Sequence, residues 1–239
     1  MKKLDSNFWN RYFKVYDILN LAIPYQEMME EVISRLDIKP GEAVLDAGSG
    51  TGNLAVKVEK IGAQVYALDN NITALNIYKT KNPQAKTIRH DLNSKLPFSD
   101  NYFDKIASIN TLYLLPQNKR TEVIKEFFRI LKPGGRVVIV NPRYGAQPFK
   151  IYSYHIKKSL KEIGLIKTIC QAVKLFWSTG LVLYYTFIIK KQSKRVDYDL
   201  LKANEIFDSL NKAGFSKISK SALTYADQAF LDMGFKVGR

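Results

Sequence analysis

The sequence predicts an α/β fold with a mostly parallel sheet, and three observations carry that prediction. The first is Ala43-Val44-Leu45-Asp46-Ala47-Gly48-Ser49-Gly50-Thr51-Gly52-Asn53-Leu54-Ala55, an apolar run that ends in an acid, turns on three glycines and continues as a helix-compatible stretch to Lys60. The second is the alternation that follows, in which apolar runs of strand length separate amphipathic helical patterns. The third is a pair of strand-like segments near the C-terminal end joined by Ala226-Asp227, a link so short that the two run antiparallel.

In chain order, an aromatic segment from Phe8 to Asn20 carries few turn signals. Met28, Met29, Val32, Ile33 and Leu36 recur at helical spacing and predict a helix over 25–36, ended by Pro40-Gly41. Strand one ends at Asp46, and strand two, Ala63 to Leu68, ends at Asp69, with a helix after Asn71. Ala85 to Arg89 predicts strand three and leads to His90-Asp91-Leu92; Ile106 to Ile109 predicts strand four. An amphipathic helix over 119–131 turns Val123, Ile124, Phe127, Phe128 and Leu131 inward, and Leu131-Lys132-Pro133-Gly134-Gly135 breaks it before strand five, 136–140. Then the pattern changes. Phe149, Tyr152, Ile156, Leu160 and Ile163 form a helical stripe with lysines on the other faces, an apolar run follows over 172–189, and Lys190 to Arg195 is a charged break. A helix over 200–212, capped by Ala213-Gly214-Phe215, and strands over 216–225 and 228–235 resume the core. The chain therefore divides into a ligand-binding core (1–142), a helical cap or insertion (143–199) and a C-terminal completion of the sheet (200–239).

Strand, glycine turn and helix bring bare backbone up to a nucleotide-like ligand, because glycine tolerates positive φ and lets the ligand approach closely. The helix start then offers N–H groups to a negative group. Gly48-x-Gly50-x-Gly52 lacks the spacing of a dinucleotide fingerprint, and no Gly-Lys-Ser/Thr makes it a P-loop. Asp69 lies about twenty residues on, where a carboxylate accepts from ribose hydroxyls. Blander alternatives stand beside these: a βα loop with no ligand, Asp69 as a helix cap, Asp91 as a turn former.

The ordered set resembles the class I S-adenosylmethionine (SAM) methyltransferases, of the type 11-like kind. The residues that carry the resemblance are Val44-Leu45-Asp46-Ala47-Gly48-Ser49-Gly50-Thr51-Gly52, the acid Asp69, Asp91-Leu92, Leu96-Pro97-Phe98-Ser99-Asp100-Asn101-Tyr102-Phe103-Asp104 and Leu131-Lys132-Pro133-Gly134-Gly135. The resemblance implies a Rossmann-like, mostly parallel seven-stranded sheet with an antiparallel last strand. It implies SAM as cofactor, released as S-adenosylhomocysteine, with Asp91-Leu92 meeting the adenine. The cofactor-binding residues it points to are Asp46, Gly48, Ser49, Gly50, Gly52, Asp69, Asn70, His90, Asp91, Leu92, Asn110 and Tyr16. The N-terminal half, with Tyr16-Asp17-Ile18-Leu19-Asn20 ahead of Leu36-Asp37-Ile38-Lys39-Pro40-Gly41, is similar to the ubiquinone/menaquinone C-methyltransferases, which act on long-tailed lipids at the membrane. The segment after strand five, from Asn141-Pro142-Arg143-Tyr144 onward, departs from that group.

The chain has 239 residues, 46% hydrophobic and 25% charged, enough for one domain with a sizeable core. Its single cysteine, Cys170, points to a reducing compartment and reads as packing. No secretory leader follows Met1-Lys2-Lys3-Leu4-Asp5, and the longest uncharged apolar run, 175–189, falls short of the ~20 residues that span a bilayer. A cytoplasmic protein, or one peripheral at a membrane, is expected. Two histidines and one cysteine do not make a metal site. Of the formal net charge of +15, about half lies between Arg143 and Asp199, with eleven lysines and arginines against three acids. Such a patch suits an anionic membrane face or nucleic acid, or is a solvated basic surface.

Methyl transfer needs position and a dry pocket more than a base. After strand four stands Asn110-Thr111-Leu112-Tyr113 where enzymes that methylate the amino groups of bases carry Asn/Asp-Pro-Pro-Tyr/Phe, which argues against a nucleic-acid adenine substrate. Tyr12, Tyr25, Tyr113, Tyr144 and Tyr152 are candidates to line the acceptor pocket, by cation–π contact or as aromatic packing. His155 is the candidate general base, against a structural histidine. The expected acceptor is a small hydrophobic or lipid-linked molecule: a quinol, phenol, lipid or amine. The alternatives are an RNA methyltransferase that uses the basic insert and a SAM-binding protein without catalysis.

Overall fold

In a computed structural model, residues 6–193 and 200–238 are described. Strands β1 (Ala43–Ala47), β2 (Gln64–Asp69), β3 (Lys86–Arg89), β4 (Phe103–Ile109), β5 (Leu131–Pro142), β6 (Ala222–Thr224) and β7 (Ala229–Phe235) form one sheet in the order β3-β2-β1-β4-β5-β7-β6. The first five are parallel; β7 runs antiparallel to β5 and to β6. The fold is the predicted Rossmann-like one. Strand order reverses between β1 and β4, so a crevice opens beyond their carboxyl ends.

Helices α2 (Ile23–Leu36), α3 (Asn53–Glu59), α4 (Ile72–Lys81), α5 (Gln117–Ile130) and α8 (Glu205–Ala213) surround the sheet. Successive strand residues face opposite layers. Val44 and Val138 pack with Met28, Val32 and Leu36 of α2 on one side. Leu45, Val137 and Ile139 pack with Phe127 of α5 and Leu210 of α8 on the other. Helix α1 (Ser6–Tyr16) and a 3-10 turn (Asp17–Leu21) precede α2, and α6 (Pro148–Glu162) and α7 (Leu165–Ser193) follow β5.

Several boundaries move for physical reasons. The Leu131-Lys132-Pro133-Gly134-Gly135 break lies inside β5 as a register shift, with Phe103 opposite Leu131 but Lys105 opposite Arg136. Helix α8 starts at Glu205 and not at Leu200: buried Leu201 bridges to Arg143, and left-handed Asn204 blocks an earlier start. Strand β6 keeps only three residues, because Lys217 takes a positive φ, although Ser216 and Ser219 still bond to Phe235 and Met233. The expected two-residue link is longer: Tyr225, Ala226 and Asp227 are all left-handed.

The inserted helices depart most from expectation. Helix α6 buries His155 and Ser159, and of its apolar stripe Phe149 is 76% and Leu160 44% exposed. The inner face meets α2, where polar pairing decides the orientation: the Ile23 N–H donates to His155 Nδ1 at 3.2 Å and Lys158 pairs with Glu27. Cys170, expected to pack, is exposed on α7. Met1 to Asp5 and the end of the charged break, with Lys194, Arg195, Asp197 and Asp199, lie outside the described residues.

Candidate cofactor and acceptor site

A cavity of about 900 Å³ opens at the carboxyl ends of β1 and β4. Its floor is the glycine turn, and every predicted cofactor residue except Gly52 lines it: Asp46, Gly48, Ser49, Gly50, Asp69, Asn70, His90, Asp91, Leu92, Asn110 and Tyr16. The predicted acceptor residues Tyr12, Tyr25, Tyr113, Tyr144 and Tyr152 line it too, as does His155. Gly52 is the correction. It is buried behind the turn at φ +75°, where a Cβ would sit 2.2 Å from the Tyr78 ring. Its lack of a side chain lets α4 pack on α3.

The turn's amides are engaged within the protein. Gly48 and Ser49 N–H both donate to the Leu68 carbonyl, at 2.7 and 3.0 Å, and Gly52 N–H donates to Ser49 O at 2.9 Å. Gly50 N–H donates to Asp69 Oδ2 at 2.9 Å. The amides of Gly48, Ser49, Gly50 and Gly52 are therefore not free for a ligand. Asp69 also accepts from Asn71 N–H at 2.8 Å, while Asn71 itself caps α4 by accepting from Thr73 and Ala74. Asp69 is thus a brace for the turn, and the helix cap sits two residues later.

What the turn does present is oxygen. Asp46 Oδ2, Ser49 Oγ and Asn110 Oδ1 are buried and have no hydrogen-bond partner. Burial first, then the charge of Asp69, pushes the Asp46 carboxyl up to about 7, against a hydrogen bond from the Ala55 N–H. Burial also lifts Asp69, against hydrogen bonds from Asn71, Gly50 and Asn70. Unpartnered acceptors in a buried site are costly until a donor arrives. This rim suits a ligand rich in donors and positive charge, not a phosphate. Asp91 accepts from its neighbour Asn93 N–H at 2.9 Å, so it forms a turn as well as facing the cavity, and His90 Nε2 donates to Lys95 O at 3.0 Å.

The cavity is also lined by aromatic rings. Tyr12, Tyr16, Tyr25 and Tyr225 follow one another with ring centroids 5.4, 6.5 and 6.0 Å apart. Burial raises the hydroxyl pKa of all four and of Tyr113, so these groups stay protonated. His155 does not fit the role of a base. Its Nδ1 lone pair is taken by the Ile23 amide, so the neutral ring carries its proton on Nε2, and burial lowers its pKa.

Sequence reasoning missed several wall residues. Trp9 and Phe13 come from α1, which folds back over the turn; Tyr225 and Gln228 come from the β6–β7 link; Leu175 and Phe187 come from α7. It also missed Arg120. This buried guanidinium donates to the carbonyls of Leu112, Tyr113 and Leu115 and pairs with Glu205, which holds in place the loop that carries Asn110 and Tyr113. Only an arginine on the apolar face of a predicted helix marks it in the sequence.

Sheet order, glycine turn and a cavity rimmed by acids define the class: a protein that holds a nucleoside-bearing cofactor at the carboxyl edge of a parallel sheet. A methyltransferase domain family matches residues 44–135. The chain is 30% identical to demethylmenaquinone methyltransferase from Paenarthrobacter aurescens over 64% of its own length and 60% of that protein. It is 30% identical to the Tropheryma whipplei protein of the same name over 65% of its length and 67% of that protein. The first match thus spans less than two thirds of its relative. A crystal structure of a putative SAM-dependent methyltransferase from Methanococcus maripaludis superposes over 100% of this chain and 96% of that one, with a TM-score of 0.63 and 21% identity. The chain belongs to the SAM-dependent methyltransferases. That family implies SAM as the cofactor, and the cavity of about 900 Å³ fits it: Asp46, Ser49 and Asn110, each with an unpartnered oxygen, line it and suit a cationic, hydroxyl-bearing ligand.

Proposed function

We propose that this chain transfers the methyl group of SAM to a hydrophobic acceptor of the quinol or phenol class. The observation that carries the reading is the lining of the cavity, which joins acids and unpartnered oxygens at the glycine turn to a set of protonated tyrosines with no available base. Bound SAM would supply an electrophilic methyl on a sulfonium, to which the acceptor bonds in line as the carbon–sulfur bond breaks and S-adenosylhomocysteine leaves. Asp46, Ser49 and Asn110 would accept hydrogen bonds from the cofactor's ammonium and Asp69 from its ribose hydroxyls, and His90 and Leu92 would hold the base. The tyrosine hydroxyls, kept neutral by burial, donate to an acceptor oxygen that carries negative charge. An ammonium acceptor would have to give its proton to a base, and His155 has no lone pair to offer. A phenol titrates in the same range as an ammonium, at about 10, so it too would have to give up its proton, to solvent, as the methyl is transferred; unlike the ammonium, it suits an aromatic-lined cavity while it is still neutral. The names of the demethylmenaquinone methyltransferase relatives point the same way.

Two measurements test this. Calorimetry should show SAM binding in the micromolar range, about −8 kcal/mol, and Asp69→Ala should weaken it by about 1.5–3 kcal/mol. Isotope-labelled SAM, incubated with a demethylated naphthoquinol in detergent, should leave label in the extracted quinol. Label in an amine or a tRNA fraction instead, or SAM binding with no transfer to any acceptor, overturns the quinol reading.

A further inference from the structure

We infer that the outer face of α7 is a docking surface for an anionic bilayer. Ile166, Ile169, Val173, Trp177, Tyr184 and Phe187 recur at three-, four- and seven-residue steps and are each more than half exposed. Those steps place them on one side of the helix, a stripe about 30 Å long. Phe187 also lines the cavity, so the stripe runs into the wall of the site. An exposed apolar stripe of this size marks an interaction surface. Among the described residues no helix is long and apolar enough to cross a membrane, so this one lies on a surface.

Charge decides the partner. Residues 143–193 contain nine lysines and arginines and one acid, Glu162. Glu162 is already beside Lys158, which also pairs with Glu27. Lys150, Lys157, Lys161, Lys167 and Lys174 are exposed, with no ion pair among the described residues. Lys167 and Lys174 each follow a stripe residue and so border it. An apolar face with basic flanks fits acyl chains below anionic head groups, at about 1 kcal/mol per lysine near the surface. A second copy of the chain would set like charge against like. Seating the stripe in a bilayer brings the Phe187 side of the cavity to the lipid, which would deliver a lipid-tailed acceptor without passage through water. That last step rests on the proposed function; the docking itself does not.

The test is flotation of the full chain with phosphatidylglycerol–phosphatidylcholine vesicles against phosphatidylcholine alone, without SAM or acceptor. The chain should float with the anionic vesicles, and high salt should weaken the binding. Ile169→Glu and Trp177→Glu should each lower it about tenfold, with the circular dichroism spectrum and SAM affinity unchanged. Brominated acyl chains should quench the wild-type tryptophan emission, and Trp177→Phe should remove most of that quenching. No flotation at low salt, binding that both glutamate variants retain, or a solution dimer that Trp177→Glu dissociates overturns the proposal. Because flotation uses neither substrate, its failure leaves the methyl-transfer reading standing, and failure of methyl transfer leaves docking to be read by itself.

Discussion

Asp46 shows how one carboxylate takes its chemistry from its place. It is the second-last residue of a buried strand, one oxygen has no partner, and burial lifts it to about 7. An unfolded aspartate titrates near about 3.9. Between about pH 4 and pH 7 the folded chain therefore holds a proton that the unfolded chain has lost, and linkage makes this group's contribution to stability fall as pH rises through that window and level off above it. A cationic ligand reverses the preference, because it favours the carboxylate. SAM affinity measured by calorimetry should thus rise from pH 6 to pH 8, with proton release at the lower pH. Asp46→Asn should bind more weakly and lose this pH dependence; a wild-type affinity that is flat with pH would contradict the assignment. The tyrosines that line the cavity follow the same physics with the opposite consequence. Burial raises their pKa further from neutrality, so they act as hydroxyl donors throughout the useful pH range.

The glycine turn is an element in which three similar residues do three different things. Gly48 has φ +80°, and a Cβ there would overlap Thr111 Oγ1 at 2.2 Å, so it admits the β4 loop. Gly52 admits the Tyr78 ring of α4. At Gly50, φ +53°, a Cβ would meet only Phe13, at 3.7 Å, on the cavity side. Gly52→Ala should therefore destabilise the fold by about 1–3 kcal/mol through overpacking and backbone strain, read as a lower urea midpoint. Gly50→Ala should cost about 1 kcal/mol of backbone strain and show its larger effect on SAM affinity. Equal urea midpoints for the two variants would contradict this separation. Helix α6 makes a related point. Its apolar periodicity is real, but a period shows only that residues share a side, and the hydrogen bond and ion pair to α2 chose the side that faces inward.

At the scale of the whole molecule, the N-terminal segment is the part that closes the site. Trp9, Tyr12, Phe13, Tyr16 and Leu19 all reach the cavity wall. A polar latch ties the segment to the core: Lys81 Nζ sits 2.7 Å from Asp17 and donates to Thr51 O at 2.7 Å and Asn53 Oδ1 at 2.9 Å. Asn20 donates to the same Asn53 oxygen at 2.9 Å. The ion pair is partly exposed, so its effect on global stability is modest. Its effect on the segment is larger, because Lys81 ties Asp17 to both Thr51 and Asn53 of the glycine turn and α3. Lys81→Ala should speed hydrogen exchange across residues 6–21 while the amides of β1 and β4 keep their protection. SAM affinity should fall with it by about 1 kcal/mol. Unchanged exchange in that segment would show that aromatic packing alone holds it.

Much of this protein is local in origin, and that part is legible in the sequence. Apolar runs that end in Asp46 and Asp69 place two strands, the glycine spacing places the turn between strand and helix, and the short link at Ala226-Asp227 makes the last pair antiparallel. Local pattern suffices there because strand and turn preferences act within a few residues. Of the twelve residues it named for a cofactor, eleven line the cavity, most of them at strand ends that any such sheet brings together. Tertiary structure alone decided the rest. It put Gly52 behind the turn, closed the turn's amides on Leu68 and Asp69, took the lone pair of His155 for the Ile23 amide, and buried Arg120 under the Tyr113 loop. It also turned the apolar side of α7 outward. Each of these depends on a partner many residues away, and a hydrogen bond or a packed face is specified by both of its sides, of which a local pattern contains one.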